Sequence, residues 1–223
     1  MNDEDMRCYY HDSWQSGSEW LSTAKVLKTA ADKILKDYLA AYQRYDSQVR
    51  IALNGTPVDL APSLHDPDLT LWPVYKLLMG YALENLLKGI IISKGLLEYP
   101  RCFEVDDFSQ LHVPRKNHIQ CMRIDKHLGH LLSARAIDMF DNEEEEVIED
   151  LDNAVKSAGR YPVSKKYDPK DPLCLLAKTE PIKETEPIIN AIYQKAEAIL
   201  ERLSPSSSKE YSVLVQAERQ NSN

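Results

Sequence analysis

The chain has 223 residues and a mass of 25.5 kDa, which suits one domain with an ample hydrophobic core. Its formal net charge of -8 opposes nonspecific attraction to a nucleic-acid backbone, and its 7 glycines are few, so long helices are expected. No stretch approaches the roughly 20 apolar residues of a membrane span, and the N-terminal residues lack the pattern of a signal peptide, so we expect a cytoplasmic protein with no membrane segment.

The first predicted element is a long amphipathic helix. Ser16 and Ser18 can each cap a helix N-terminus, and apolar residues then recur at helical spacing from Trp20 to Val49. The following segment, residues 54–68, contains an asparagine-glycine pair and three prolines, which interrupt any regular pattern. We therefore expect the helix to end at a surface loop.

The second element, residues 69–95, is unusually apolar. Pro73 stands where the first helical turn tolerates proline, and Gly95 stands where a glycine ends a helix. Apolar residues surround much of the helix circumference, which predicts a central helix packed on several sides. Residues 96–118 are too long and too aromatic for a plain turn, and a loop of this length indicates a ligand-facing insertion.

Three further helices are predicted in the second half of the chain. Helical periodicity resumes over residues 118–140, and Asp141 or Asn142 then caps a helix that extends towards Gly159. The last amphipathic helix covers residues 180–203. The prediction is an all-α single domain over residues 1–204, with 205–223 as a flexible tail.

Three motifs carry a resemblance to a known family. They are GYALENLLKGIIISKG (Gly80–Gly95), GHLLSARA (Gly129–Ala136) and GRYPV (Gly159–Val163), in this order. Together they resemble HEPN-like helical proteins, in particular a branch with L-E-x-L-L-K, G-H-x-L and G-R-Y-P-V motifs. The similarity spans roughly residues 70–165.

The resemblance implies an up-and-down bundle of four or five helices that pairs into a homodimer. The superfamily contains RNA-cleaving toxins, nucleotidyltransferase partners and noncatalytic binding modules. We therefore expect a binding module without catalytic chemistry, needing no cofactor, for a partner protein, a nucleotide or RNA. Its polar centre would be lined or braced by five residues: Glu84, Lys88, His130, Arg160 and Tyr161.

The alternative is a metal-independent ribonuclease. Nuclease branches of the family carry an arginine and a histidine separated by four to six residues, which meet across a dimer. Arg123 and His130 satisfy that spacing, with six residues between them. The polar residue that usually follows the arginine is replaced by Ile124, which weighs against nuclease chemistry.

Several of these polar residues have more than one interpretation. Glu84 and Lys88 are four residues apart, as in a helix-surface ion pair, but a carboxylate in so apolar a helix could also be held for Arg160. Arg160 and Tyr161 follow a helix-ending glycine, so they could brace the bundle, or the arginine could bind an anion.

The histidines and the remaining basic residues also leave alternatives open. His127 and His130 share a helix face at a spacing compatible with metal ligation, but no further ligands accompany them, so a structural role is favoured. A basic cluster in the long loop could steer a phosphate-bearing ligand or simply be solvated. Its members are His112, Arg115, Lys116 and His118.

Other classes of chemistry have no support in the sequence. The four glutamates at 143–146 suit the start of a helix, where negative charge is favourable, better than a metal site. The four cysteines are scattered without a C-x-x-C pair. The sequence also lacks nucleotide-binding glycine loops and hydrolase signatures.

Overall fold

The structure is a computed structural model, and it describes residues 16–55, 68, 71–95, 111–116, 121–157 and 182–204. These residues form a mainly helical fold, as predicted. Its helices are α1 (Gly17–Leu53), α2 (Leu71–Ser93), α3 (Leu128–Leu131), α4 (Asn142–Ser157) and α5 (Ile182–Leu203). A small antiparallel pair of strands, β1 (His112–Val113) and β2 (Met122–Arg123), accompanies them.

Helix α2 is the centre of the molecule, as its apolar composition predicts. It contacts α1, α3, α4 and α5, and its buried residues cover more than half of the helix circumference, leaving a less buried strip that contains Val74, Tyr81 and Glu84. The Trp72 ring lies 5.7 Å from the Tyr38 ring of α1, whereas Gly89 packs against Trp20 near the start of α1. Because the start of one helix meets the later part of the other, α1 and α2 run antiparallel.

Two glycines allow other helices to approach α2 closely. A Cβ at Gly80 would lie 2.6 Å from Val155 Cγ2 of α4, and a Cβ at Gly89 would lie 2.7 Å from Leu200 Cδ2 of α5. Such distances are shorter than carbon atoms tolerate, so both positions require the absence of a side chain. The GYALENLLKG motif therefore has a packing role at its two glycines.

Helix α5 runs antiparallel to α1. Lys25 of α1 donates to Glu201 of α5 at 2.7 Å, and the Lys28 ammonium lies 5.7 Å from the centre of the Tyr193 ring. The hydrogen bond to Glu201 raises the pKa of Lys25, but the pair is exposed and contributes little to stability. Apolar packing of α5 on α2 therefore holds this helix in place.

The ends of the helices show how local sequence sets their limits. Ser16 is the N-cap of α1, although its side chain makes no capping hydrogen bond. Gly95 follows α2 with φ of 64°, as expected of a helix-ending glycine. Before α4, Glu144 N–H donates to Asp141 Oδ1, and Asp141 N–H donates to Glu144 Oε2, which is a reciprocal capping box.

The predicted helix over residues 118–140 is wrong. The described part of this segment contains β2, the four-residue α3 and turns. Its backbone bonds to residues 111–116 instead: Lys116 N–H donates to Ser133 O, and Arg135 N–H donates to Pro114 O, both at 2.8 Å. These tertiary bonds replace the i→i−4 bonds that a helix would have made.

Other expectations concern parts of the chain that the structure does not describe. The tail 205–223, the segment 56–67 and the G-R-Y-P-V turn lie outside the described residues. In the part that is described, no helix has the combination of length and hydropathy needed to cross a membrane. The HEPN-like identity and the up-and-down order stay predictions.

Candidate functional site

A polar cleft of about 350 Å³ lies where the 111–116 segment, α3 and α4 meet. Its described lining contains no aliphatic side chain and no phenylalanine, tyrosine or tryptophan. The residues are Arg115, Gly129, His130, Ser133, Glu149, Asp152, Asn153 and Lys156. Two of the residues singled out from the sequence, Arg115 and His130, therefore share one cleft.

Backbone pairing places Arg115 beside α3. The residue forms an antiparallel bridge with Ala134, and the flanking bonds of Lys116 and Arg135 fix this part of the chain. The fully buried Leu111 and Val113 anchor the same segment in the core. Arg115 thus reaches the cleft from a segment that backbone hydrogen bonds and buried side chains hold in place, and the ligand-facing role of the long loop stays a prediction.

The short helix α3 presents His130 at the mouth of the cleft. Leu128 and Leu131 are completely buried, so they anchor the helix and leave His130 exposed between them. Ser133 Oγ donates to His130 O at 2.7 Å and closes the turn that follows. His127, by contrast, is the N-cap residue of α3 and does not line the cleft.

Helix α4 forms the opposite wall through one of its faces. Glu149, Asp152, Asn153 and Lys156 follow one another at intervals of three, one and three residues, which places them on the same side of a helix. Ile148, Leu151 and Val155 are buried and hold α4 against the core. The cleft face of α4 follows directly from this helical spacing.

Asp152 is the buried charge of the cleft. Only 4% of the residue is exposed, its Oδ2 is paired with Lys156, and its Oδ1 is buried without a hydrogen-bond partner. A Cβ at Gly129 would lie 2.7 Å from Asp152 Oδ2, so the carboxylate packs directly against the α3 backbone. The glycine of the G-H-x-L motif therefore makes room for this carboxylate.

Two charges of opposite sign lie in the cleft without a partner among the described residues. The Arg115 guanidinium makes no side-chain hydrogen bond or ion pair there, and its buried Nε is unsatisfied. Glu149 is exposed and also has no ionic partner in that part of the chain. A ligand that carries both a negative group and hydrogen-bond donors would satisfy both side chains.

Arg123 lies outside the cleft. It belongs to β2, opposite His112, and its Nε and Nη2 donate to the Asp125 carboxylate at 3.1 and 2.7 Å. It is not among the residues that line the cleft of His130. The structure therefore does not bring Arg123 and His130 into one cleft of a single chain, and their meeting across a dimer stays a prediction.

Glu84 and Lys88 form an ion pair on α2 outside the cleft. Lys88 Nζ lies 2.6 Å from Glu84 Oε1, and the two side chains are only 12% and 13% exposed. Glu84 Oε2 is buried with no partner among the described residues. Arg160, which could supply that partner, and Tyr161 lie outside the described residues.

Sequence reasoning missed most of the α4 wall. The pattern did contain one indication, because Asp152 stands between Leu151 and Val155 at a position that helical spacing assigns to the buried stripe with Ile148. A carboxylate in that stripe, followed four residues later by Lys156, points to a buried ion pair. Among the described residues, no group of three or more potential metal ligands occurs.

Comparison with known proteins adds no relative to this description. Neither a protein-family model, nor a curated protein, nor a solved structure matches the chain.

Proposed function

We propose that this chain is a HEPN-like helical binding module, without catalytic chemistry of its own, that binds a nucleotide or RNA through the cleft. The single observation that supports this most is the unpaired Arg115 guanidinium beside His130 and Lys156. A guanidinium is well suited to phosphate because its donors form a planar fork. In a chain of net charge -8, the described lining balances Arg115 and Lys156 against Glu149 and Asp152, and Lys156 is paired with Asp152, which leaves Arg115 as the cation open to a phosphate.

The absence of catalytic chemistry is supported by the position of Arg123. Both carboxylate oxygens of Asp125 accept from its guanidinium, so the arginine of the nuclease motif already has an acidic partner. A ribonuclease would need this arginine to contact a phosphodiester. Breaking the bidentate pair would add a small cost to that contact, because the pair is partly exposed.

The test is direct binding of a short single-stranded RNA and of AMP, measured by fluorescence anisotropy and by calorimetry at low salt. We expect Arg115→Gln to weaken binding about tenfold or more, because a charge-assisted hydrogen bond to phosphate is lost. Arg135→Gln is the matched control: this arginine is exposed, lies twenty residues further along the chain and is absent from the cleft lining. The affinity of this control variant for RNA and AMP should remain close to that of the unmodified chain.

Three results would contradict the proposal. Failure of both RNA and AMP to bind would exclude the cleft as a nucleotide site and leave a protein partner as the next candidate. Equal binding by the Arg115 and Arg135 variants would exclude Arg115 as the phosphate contact. RNA cleavage that is lost in both Arg123→Gln and His130→Ala would establish the ribonuclease alternative instead.

We also propose that the chain forms a homodimer, since the family it resembles pairs in this way. Sedimentation equilibrium should give about twice the 25.5 kDa chain mass. A monomer at all accessible concentrations would contradict this proposal. It would also remove the ribonuclease alternative, which needs Arg123 and His130 of two subunits.

A further inference from the structure

We infer that the cleft recognises a ribonucleotide end, a phosphate beside a free 2′,3′-diol, irrespective of the base. This inference rests on the proposed function and narrows it to one chemical group. The shared chemistry occurs in a free ribonucleotide and at the 3′ terminus of RNA. The charges of the cleft carry the argument.

The first step is the lack of an apolar wall and of a large aromatic side chain among the described residues of the cleft. Proteins that read bases usually stack them on aromatic side chains, and an apolar wall generally accompanies this contact. The described lining offers no apolar wall and no phenylalanine, tyrosine or tryptophan, and its two planar side chains, Arg115 and His130, are the ones assigned to the phosphate. The cleft is therefore suited to the sugar and phosphate rather than to the base.

The second step concerns the hydrogen-bond donors that the ligand must bring. The Glu149 carboxylate is exposed and without an ionic partner in the described part of the chain. An ionised carboxylate only accepts hydrogen bonds, so its ligand must donate. The 2′- and 3′-hydroxyls are adjacent donors of a ribonucleotide outside its base, and carboxylates bind ribose hydroxyls in other nucleotide sites.

Asp152 supplies a second hydrogen-bond acceptor in the cleft and is more deeply buried than Glu149. Its Oδ1 is unpartnered, and the residue is more than nine-tenths buried. Lys156, whose side chain is 41% exposed, lies on its outer side. If this ammonium turns towards a bound phosphate, Asp152 becomes accessible to a hydroxyl of the same ligand.

The third step is discrimination against a nucleotide that carries a phosphate on its 3′-oxygen. At an internal nucleotide, the 3′-oxygen carries a further phosphate, and a terminal 3′-phosphate does the same. Either group would place negative charge beside Glu149 and Asp152, and like charges at contact are strongly unfavourable. The two carboxylates therefore favour a free 3′ end, while Arg115 and His130 bind the phosphate on the 5′-oxygen of the same nucleotide.

The experiment compares short 5′-labelled RNAs, about eight nucleotides long, that differ only at the 3′ terminus. The ends are a ribose with both hydroxyls, a 2′-deoxyribose and a 3′-phosphate, each with all four terminal bases. We expect the 2′-deoxy end and the 3′-phosphate each to weaken binding about tenfold, and the terminal base to change it less than about threefold. AMP and 2′-deoxy-AMP serve as competitors that separate a free nucleotide from an RNA end as the source.

The variant that tests the assignment is Glu149→Gln. This residue is exposed, so the fold should be retained, and circular dichroism checks that. We expect the variant to discriminate less between the ribose end and the 3′-phosphate end, by about threefold or more, because one of the two repelling charges is gone. Glu146→Gln, an equally exposed change on the same helix but outside the cleft, should keep the discrimination of the unmodified chain.

The outcomes separate this inference from the proposed function. Equal affinity for RNAs with ribose, 2′-deoxy and 3′-phosphate ends would overturn recognition of the diol. An affinity that depends on the terminal base would overturn it as well. In both cases RNA binding itself, and so the proposed function, would stand. Unchanged discrimination in Glu149→Gln would overturn the assignment of that residue. If no RNA and no AMP binds, the proposed function itself fails.

Discussion

Asp152 stands at a position of α4 that helical spacing assigns to the core. An apolar residue is expected at such a position, but here a carboxylate is buried. Its charge is partnered by Lys156, the lysine four residues later. A buried charge is acceptable when it is paired, and costly when its partner is removed. The carboxylate packs against Gly129 of α3, where a side chain would clash with it.

This pairing predicts that Lys156→Met destabilises the protein although Lys156 is itself exposed. The substitution would leave a buried carboxylate unpaired, which should lower the free energy of unfolding by about 1–3 kcal/mol. Urea denaturation measures the change. Lys126→Met, at an exposed lysine outside the cleft, is the control and should change stability by less than about 0.5 kcal/mol. Equal stability of the two variants would contradict the interpretation.

Glu84 presents a similar problem on α2, because Lys88 satisfies only one of its oxygens. The buried Oε2 needs a donor, and Arg160 is the candidate that the sequence provides. A double-mutant cycle with Glu84→Gln and Arg160→Met should give a coupling free energy of about 0.5–3 kcal/mol if the two side chains meet. A coupling near zero, with both single variants folded, would exclude the pair and favour an anion-binding role for Arg160.

Among the elements, α4 depends most clearly on a local motif. Asp141 and Glu144 cap its N-terminus reciprocally, and Glu144 also accepts from Lys195 of α5 at 2.6 Å. The capping box therefore fixes both the start of the helix and its contact with α5. Because α4 carries one wall of the cleft, the cap also positions the candidate site.

Asp141→Ala should accordingly lower the free energy of unfolding by about 1 kcal/mol, since an N–H of the first turn loses its acceptor. Asp141→Asn should retain most of the stability, because an asparagine side chain caps a helix almost as well. Thermal denaturation followed by circular dichroism distinguishes the two variants. A loss of the same size in both would show that the negative charge, rather than the hydrogen bond, is what the cap supplies.

The strand pair and α3 show where element prediction failed. Leu128, Leu131 and Leu132 have helical spacing, and all three are buried as the pattern requires. The helix nevertheless has four residues, because Ser133 and Arg135 bond to the 111–116 segment. Such bonds join residues that are distant in the sequence, so local periodicity does not reveal them.

At the scale of the whole molecule, the core contains two tyrosines that must remain neutral. Burial raises the pKa of Tyr75 and of Tyr193 well above the ordinary value near 10, and the carboxylate of Asp32 adds to both shifts. A raised pKa means that the folded state holds these protons more tightly than the unfolded state. Their contribution to stability is complete below about pH 10 and is lost as the pH rises further.

Alkaline unfolding should therefore begin above pH 10. Between pH 9 and 11, the free energy of unfolding should fall by about 1.4 kcal/mol in total for each of these tyrosines, and Tyr75→Phe should remove one such contribution. Lys25, whose pKa is also raised, adds a smaller loss of the same sign, and it is present in both proteins. Urea titrations at intervals between pH 9 and 11 measure the slopes, and identical slopes for the two proteins would contradict the prediction.

The sequence by itself determined the four long helices, the central position of α2, and Arg115 and His130 as polar residues of interest. Helices are local: their spacing, the Asp141 cap and the Gly95 terminator act between residues a few positions apart. Only the tertiary structure decided that Arg115 meets α4 and that Arg123 stays with Asp125. These placements depend on backbone hydrogen bonds between distant segments and on how closely Gly129 allows Asp152 to approach. Neither kind of contact produces a periodic pattern in the sequence.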